Sequence, residues 1–310
     1  MITGLLIIAG LILVVLGADF LVDGASAVAR KAGISEFVIC LTIIGFGTSC
    51  PELVVSLTGA IEGNPDISIG NVVGSNIFNT LLILGLTAVL APVAVTKSNA
   101  RRDIPITLGV TVLLIAAGYF LGVLNWITGI VFLAVFVVYM IYCFKSDSAD
   151  SHDDGQTKEI PVWRAVLLII AGLAALVFGG RLFVDNSVIL AKSLGVSDKF
   201  IAVTLLAGGT SLPELATCVV AAIKKKDQLA LGNILGSNVF NILLILGCAS
   251  LVTPLSFEGM SLVDNGVLLL SMLLVLMSTL TGKRDRIERW EGALMLLLEV
   301  AYMAYLIYSR

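Results

Sequence analysis

Two acids stand inside apolar stretches, each placed directly after a proline. Glu52 closes the run Gly47-Thr48-Ser49-Cys50-Pro51-Glu52, and Glu214 closes Gly209-Thr210-Ser211-Leu212-Pro213-Glu214. A proline within a helix removes one N–H and leaves the carbonyl four residues earlier without its helical donor. Pro51 therefore releases the carbonyl of Gly47, and Pro213 that of Gly209. Thr48 and Ser49 stand about one helical turn from Glu52, and Thr210 and Ser211 stand in the same relation to Glu214. A second run, Gly70-Asn71-Val72-Val73-Gly74-Ser75-Asn76-Ile77-Phe78-Asn79, recurs as Gly232-Asn233-Ile234-Leu235-Gly236-Ser237-Asn238-Val239-Phe240-Asn241. It sets Ser75 with Asn79, and Ser237 with Asn241, at the i, i+4 spacing that shares a helix face. Everything these residues offer a ligand is oxygen, and no cluster of thiolate or imidazole accompanies them. Such a donor set selects hard cations, either Ca2+ with six to eight oxygens or Na+. Two carboxylates neutralise one divalent ion, or are shared by monovalent ions, and that competition is a physical basis for exchange.

The elements that must carry these groups are duplicated. Both pairs of motifs are 162 positions apart, and Asp23 and Asp185 keep the same offset. The chain is 310 residues long, 58% hydrophobic and 13% charged, with a mean hydropathy of +1.05. An ordinary soluble domain carries about 25% charged residues, so a lipid bilayer is the expected solvent. An acid in hydrocarbon costs several kcal/mol, so Glu52 and Glu214 read as functional and not structural. Glycines at positions 70, 74, 232 and 236 let helices approach closely.

Ten apolar runs are long enough to cross roughly 30 Å of hydrocarbon as helices. They fall near 3–23, 36–60, 67–91, 104–122, 125–144, 163–186, 198–222, 229–253, 263–281 and 290–308. The expected fold is all-α and polytopic: one five-span repeat over 1–144, a linker over 145–161 and a second repeat over 162–310. Five spans is an odd number, so the second repeat enters the membrane from the opposite face and the repeats are inverted. All of the 19 basic residues except Arg181, Lys192, Lys199 and Arg310 fall on loops of one face. The positive-inside rule then places the central linker in the cytoplasm and both termini outside. The first apolar run reads as a retained span and not a signal peptide.

A net charge of -3 with scattered basic residues argues against nucleic acid as a partner. The five cysteines lack metal-ligand spacing and read as small buried hydrophobes, and His152 reads as a solvated linker residue. Asp23 and Asp185 are expected near opposite membrane faces, as gating or capping groups. Glu299, which has no repeat partner, is expected to pair helices. No nucleophile–base pair stands in the spans, so an enzyme is not expected.

These four motif copies, in this order, resemble the sodium/calcium exchanger family of the cation/calcium antiporters over nearly the whole chain. The resemblance implies that Glu52 and Glu214 are the central cation ligands. It adds Thr48, Ser49, Ser75, Thr210, Ser211 and Ser237, and the carbonyls near Gly45 and Ala207. It also implies a fold in which the first and sixth spans slide across the other eight. Potassium-dependent members carry Asp where this chain has Asn241, which leans toward potassium independence. Cys50 replaces the usual leucine of the first motif.

The expectation is a secondary antiporter of the plasma membrane, exchanging Na+ for Ca2+ by alternating access. It acts as a monomer in the lipid bilayer, with Ca2+ and Na+ as substrates and no bound cofactor. The alternatives are potassium-dependent Na+/Ca2+ or H+/Ca2+ exchange and, behind them, a cation channel.

Overall fold

The computed structural model describes residues 2–146, 160–195, 207–282 and 285–309. Most of the expected linker, with His152, and the first part of the seventh expected span lie outside the described residues.

Helix α1 (Ile2–Ala32) is followed by α2 (Glu36–Thr48) and α3 (Cys50–Ile61). The first half continues with α4 (Pro65–Leu90), α5 (Asn99–Leu121) and α6 (Trp126–Ser146). The second half holds α7 (Val162–Ser193), α8 (Ala207–Thr210), α9 (Leu212–Ile223) and α10 (Asp227–Val252). It ends with α11 (Leu262–Ser278) and α12 (Arg289–Ser309). Among the described residues, seven helices are long and apolar enough to cross a membrane, and the bent pair α2 and α3 forms an eighth candidate. Helices α9 and α11 are apolar but shorter.

Local chemistry explains the breaks. Pro51 lies in the first turn of α3, and the chain bends by 46° between α2 and α3 at Ser49, whose ψ of 3° is not helical. Ser211, with ψ of 8°, breaks α8 from α9 ahead of Pro213 in the same way. The side chain of Ser35 accepts from the Val38 N–H to start α2. Ser261 and Asp264 form a capping box on α11. Widened π turns interrupt α4 at Asn79–Leu84 and α10 at Phe240–Ile245, both inside the second motif or just after it.

The packing repeats the duplication. Helices α1 and α7 lie against each other in opposite directions: Gly10 faces Gly179 and Phe183, Gly17 faces Gly172, and Gly24 faces Ala165. Gly10 and Gly172 are equivalent positions, as are Gly17 and Gly179, so the Gly10–Gly179 and Gly17–Gly172 contacts are counterparts of each other. Only glycine permits this approach, because a Cβ on Gly17 would lie 2.8 Å from the Gly172 carbonyl oxygen. Four two-residue strands add a second reciprocal set. Strands β1 (Val93–Ala94) and β4 (Arg286–Ile287) pair antiparallel, as do β2 (Val123–Leu124) and β3 (Leu255–Ser256).

The solvent-accessible surface is apolar over long stretches, including Leu5, Ile8 and Ile12 on α1 and Val131, Val137 and Val138 on α6. Glu52, Glu214, Asn76, Asn79, Asn238 and Asn241 are buried instead. This inside-out distribution fits a chain whose solvent is hydrocarbon.

Candidate cation site

Glu52 and Glu214 each occupy the first turn of their helix, α3 and α9, and both are 0% exposed. A helix N-terminus presents free N–H groups and a positive dipole end, which favour a carboxylate there. The two halves then lock together. Ser211 Oγ donates to Glu52 Oε1 at 3.1 Å, and Ser49 Oγ donates to Glu214 Oε1 at 3.3 Å. Ser237 Oγ also donates to Glu214 Oε1, at 3.4 Å. Each glutamate is thus held by the serine of the opposite half. The one-turn spacing in the sequence pairs Ser49 with its own Glu52, and the structure does otherwise: at the break, where ψ is 3°, Ser49 reaches Glu214 of the other half.

Asparagines build the next layer. Asn79 Nδ2 donates to Asn238 Oδ1 at 3.2 Å, and Asn241 Nδ2 donates to Asn76 Oδ1 at 2.9 Å, an equivalent pair of contacts across the halves. Asn76 Nδ2 also donates to the Asn238 carbonyl at 3.1 Å, and Asn238 Nδ2 to Thr80 Oγ1 at 2.9 Å. Asn71 Nδ2 reaches the Glu52 carbonyl at 3.2 Å and Ser56 Oγ at 3.0 Å, joining α4 to α3. Its counterpart Asn233 donates to Cys218 Sγ, joining α10 to α9. Sequence reasoning assigned ligand roles to Ser75 and Asn79 and their counterparts but passed over Asn71, Asn76, Asn233 and Asn238. Their signal was available, since all four are identical at the repeat offset.

The oxygens left over are telling. Among the described residues, Glu52 Oε2, Glu214 Oε2, Asn79 Oδ1, Asn241 Oδ1 and Thr210 Oγ1 are buried without a hydrogen-bond partner. An unpaired buried polar atom costs about 1–3 kcal/mol, and more when charged. Five such atoms on residues of the two motifs are a donor set suited to a cation, while no third acid joins the two carboxylates among the described residues.

The remaining expected ligands are placed as follows. Thr48 Oγ1 donates to Asn233 Oδ1 at 3.2 Å and lies 3.5 Å from the Gly45 carbonyl. That carbonyl also accepts the Ser49 N–H at 3.1 Å, so it closes a helical turn. Ser75 is buried but, unlike Ser237, makes no hydrogen bond to a glutamate among the described residues. Ala207 opens α8, and Gly208 beside it faces the Phe78 ring. The carbonyl released by Pro51, that of Gly47, is approached by the Ser49 N–H.

Three other acids stand elsewhere. Asp23 lies on α1 beside Lys224, and Asp185 is exposed on α7. Glu299 is buried on α12, but the helix pairing expected of it is not found among the described residues. Tyr302 makes that link in its place, donating to Asp264 Oδ1 of α11 at 2.8 Å. The cysteines are all free thiols, with Cys40, Cys143 and Cys218 buried. Cys50 and Cys248 depart from the fully buried reading and are half-buried. Cys50 lines an apolar cavity of about 920 Å³ with Phe46, Phe178 and Phe240.

The family described as sodium/calcium exchanger protein matches residues 2–145 and 164–308. The chain is similar to the sodium/calcium exchanger MaX1 of Methanosarcina acetivorans, at 36% identity over 349 residues and 98% of each chain. It is also similar to the inner membrane protein YrbG of Escherichia coli, at 38% identity over 266 residues, 80% of this chain and 79% of that one. Among solved structures it resembles the sodium-calcium exchanger NCX_Mj soaked with 2.5 mM Na+ and 0.1 mM Ca2+. The TM-score is 0.86 at 35% identity, over 98% of both chains.

Proposed function

The chain belongs to the sodium/calcium exchanger protein family, and from that premise we propose that it exchanges Na+ for Ca2+ at the paired glutamates by alternating access. One observation carries the reading: each buried glutamate is held by the opposite half's serine, and each keeps one oxygen without a hydrogen-bond partner among the described residues.

Ca2+ takes six to eight oxygens at about 2.3–2.6 Å. In the proposed site Glu52 and Glu214 neutralise its charge. Thr48, Ser49, Ser75, Asn79, Thr210, Ser211, Ser237 and Asn241, with the carbonyls of Gly45 and Ala207, supply neutral oxygens. Na+ ions draw on the same two carboxylates, so the sites cannot hold both cargoes in full. Binding one substrate therefore displaces the other, and a chain that reorients only when loaded converts this competition into antiport. The ions are cargo, and the exchange involves no cofactor.

The proposed membrane path has ten spans, counting α2 with α3 and α8 with α9 as one broken span each. The halves 1–144 and 162–310 form inverted repeats, with 145–161 as the linker. The antiparallel contact between the equivalent helices α1 and α7 supports that inversion. Their facing glycines bring the two backbones into direct contact, which suits a pair that moves as a unit over the other spans. The basic loops favour a cytoplasmic linker and external termini in the plasma membrane. Both halves of the site lie in one chain, which supports a monomer as the working unit.

Radioactive Ca2+ uptake into vesicles, with Na+, K+ and H+ gradients imposed one at a time, tests the reading. Uptake driven by an outward Na+ gradient alone is the expected result. Uptake driven by a proton gradient without Na+ would overturn it.

A further inference from the structure

One cation ties α1 to the end of α9. Lys224 Nζ lies 2.7 Å from Asp19 Oδ1 and 2.6 Å from Asp23 Oδ1, one turn apart on α1. It also donates to the Asp19 carbonyl at 3.3 Å. Partial burial works against the ammonium, but its hydrogen bonds to Asp19 and Asp23 outweigh that and raise its pKa.

At the repeat offset, Asp19 corresponds to Arg181, Asp23 to Asp185 and Lys224 to Glu62. The correspondence is structural as well as numerical. Glu62 and Lys224 end their helices with the same φ of −79° and ψ of 2°. The next residue is left-handed in both turns, Gly63 at φ 78° and Lys225 at φ 58°. Each set therefore holds two acids and one base. In the first set the base is on the turn, and in the second it is on the helix.

The two sets are in different states. Glu62, Arg181 and Asp185 are exposed, and none is in an ion pair among the described residues. Helix α1 packs along α9, whereas α7 makes no comparable contact along α3. Deeper in, Thr48 donates to Asn233, while no hydrogen bond joins the equivalent Thr210 and Asn71 among the described residues. Gly24 lies at the level of Ala165 and Gly10 at the level of Gly179. Arg181 and Asp185 therefore lie level with residues 8 and 4 of α1, eleven residues from Asp19 and nineteen from Asp23, a separation of about 17–28 Å along the α1–α7 pair.

We propose that Lys224 with Asp19 and Asp23 is a latch holding the present conformation, and that Arg181 with Asp185 and Glu62 closes the alternate latch as the first opens. The proposal rests on the alternating-access reading above. Relocating the base makes the latches distinct: without Arg181, Asp185 would meet Glu62 as like charge against like charge.

Amide hydrogen exchange on the full chain in lipid nanodiscs tests this, with vesicle Ca2+ flux measured in parallel. Lys224→Gln should speed exchange in the turn 224–226 and slow it in the turn 61–64, each by about twofold to fivefold, as expected for loss of a partly exposed ion pair. Glu62→Gln should move both turns the opposite way. Lys224→Asp combined with Asp23→Lys should return the pattern toward wild type. Loosening at 224–226 with no change at 61–64 would reduce the pair to a local contact and overturn the proposal. If wild-type vesicles show no Na+-driven Ca2+ flux while the reciprocal shift persists, the transport reading falls and the latch stands.

Discussion

Replacing Gly17 or Gly172 with alanine should destabilise the protein through one shared contact. The added carbon on Gly17 would lie 2.8 Å from the Gly172 oxygen and from the Leu176 nitrogen. On Gly172 it would lie 2.7 Å from the Gly17 oxygen and 2.8 Å from the Leu21 nitrogen. These neighbours are backbone, which cannot swing aside, so α1 and α7 must separate by roughly half an ångström. Overpacking of that kind costs about 1–3 kcal/mol. The displacement that relieves one methyl also relieves the other, so the double variant should cost less than the two singles added, by about 1 kcal/mol or more. Gly180→Ala is the control, because a Cβ there meets nothing within 4 Å. Helix propensity alone should leave that variant equal or slightly more stable. Unfolding of the purified protein in detergent, followed for the singles, the double and the control, provides the assay. Full additivity, or singles as stable as the control, would refute the reasoning that glycine is required by direct helix contact.

Other outcomes follow from the same geometry. Asn241→Asp removes the amide that donates to Asn76 Oδ1 at 2.9 Å and sets a carboxylate oxygen against an amide oxygen. The variant should lose about 1–3 kcal/mol in chelator and recover much of it with Ca2+ present, and equal stability in chelator would contradict the contact. Protons compete with cations for Glu52 and Glu214, so Ca2+ uptake should fall as pH is lowered and be restored at the same pH by more Ca2+. Uptake that instead climbs steadily toward acid pH would favour proton coupling. Asn71→Leu removes the donor to the Glu52 carbonyl and leaves Ser56 Oγ without its partner. It should weaken Ca2+ affinity by about tenfold, measured as a shift in half-saturating Ca2+ for uptake, while an unchanged value would leave Asn71 with packing alone.

The local features of the site were readable in the sequence because their causes are local. Pro51 and Pro213 break their spans through a missing N–H, and the acids are conspicuous in an apolar chain. What crosses between helices was less readable. Spacing reports neighbours on one helix, so it paired Ser49 with Glu52 and Ser211 with Glu214, whereas the folded chain exchanges the two serines. The asparagine network is hidden for the same reason, since Asn76 and Asn238 meet only once the halves are docked. Asp23 was visible as a repeated acid, but its partner Lys224 is 201 positions away and stands where the other half has Glu62, so the duplication does not point to it. The duplication carried further than periodicity did: equivalent glycines and strands recur in reciprocal contacts across the halves, and the equivalent turns in matching backbone conformations.

Calcium titration of purified Glu52→Gln and Glu214→Gln in Na+-free buffer tests the central claim most directly. Both variants should fold, yet neither should take up Ca2+ at concentrations that saturate the unaltered protein, because each has lost half of the site's negative charge. Saturation of either variant with near-normal affinity would contradict the account that these two buried carboxylates hold the cation between them.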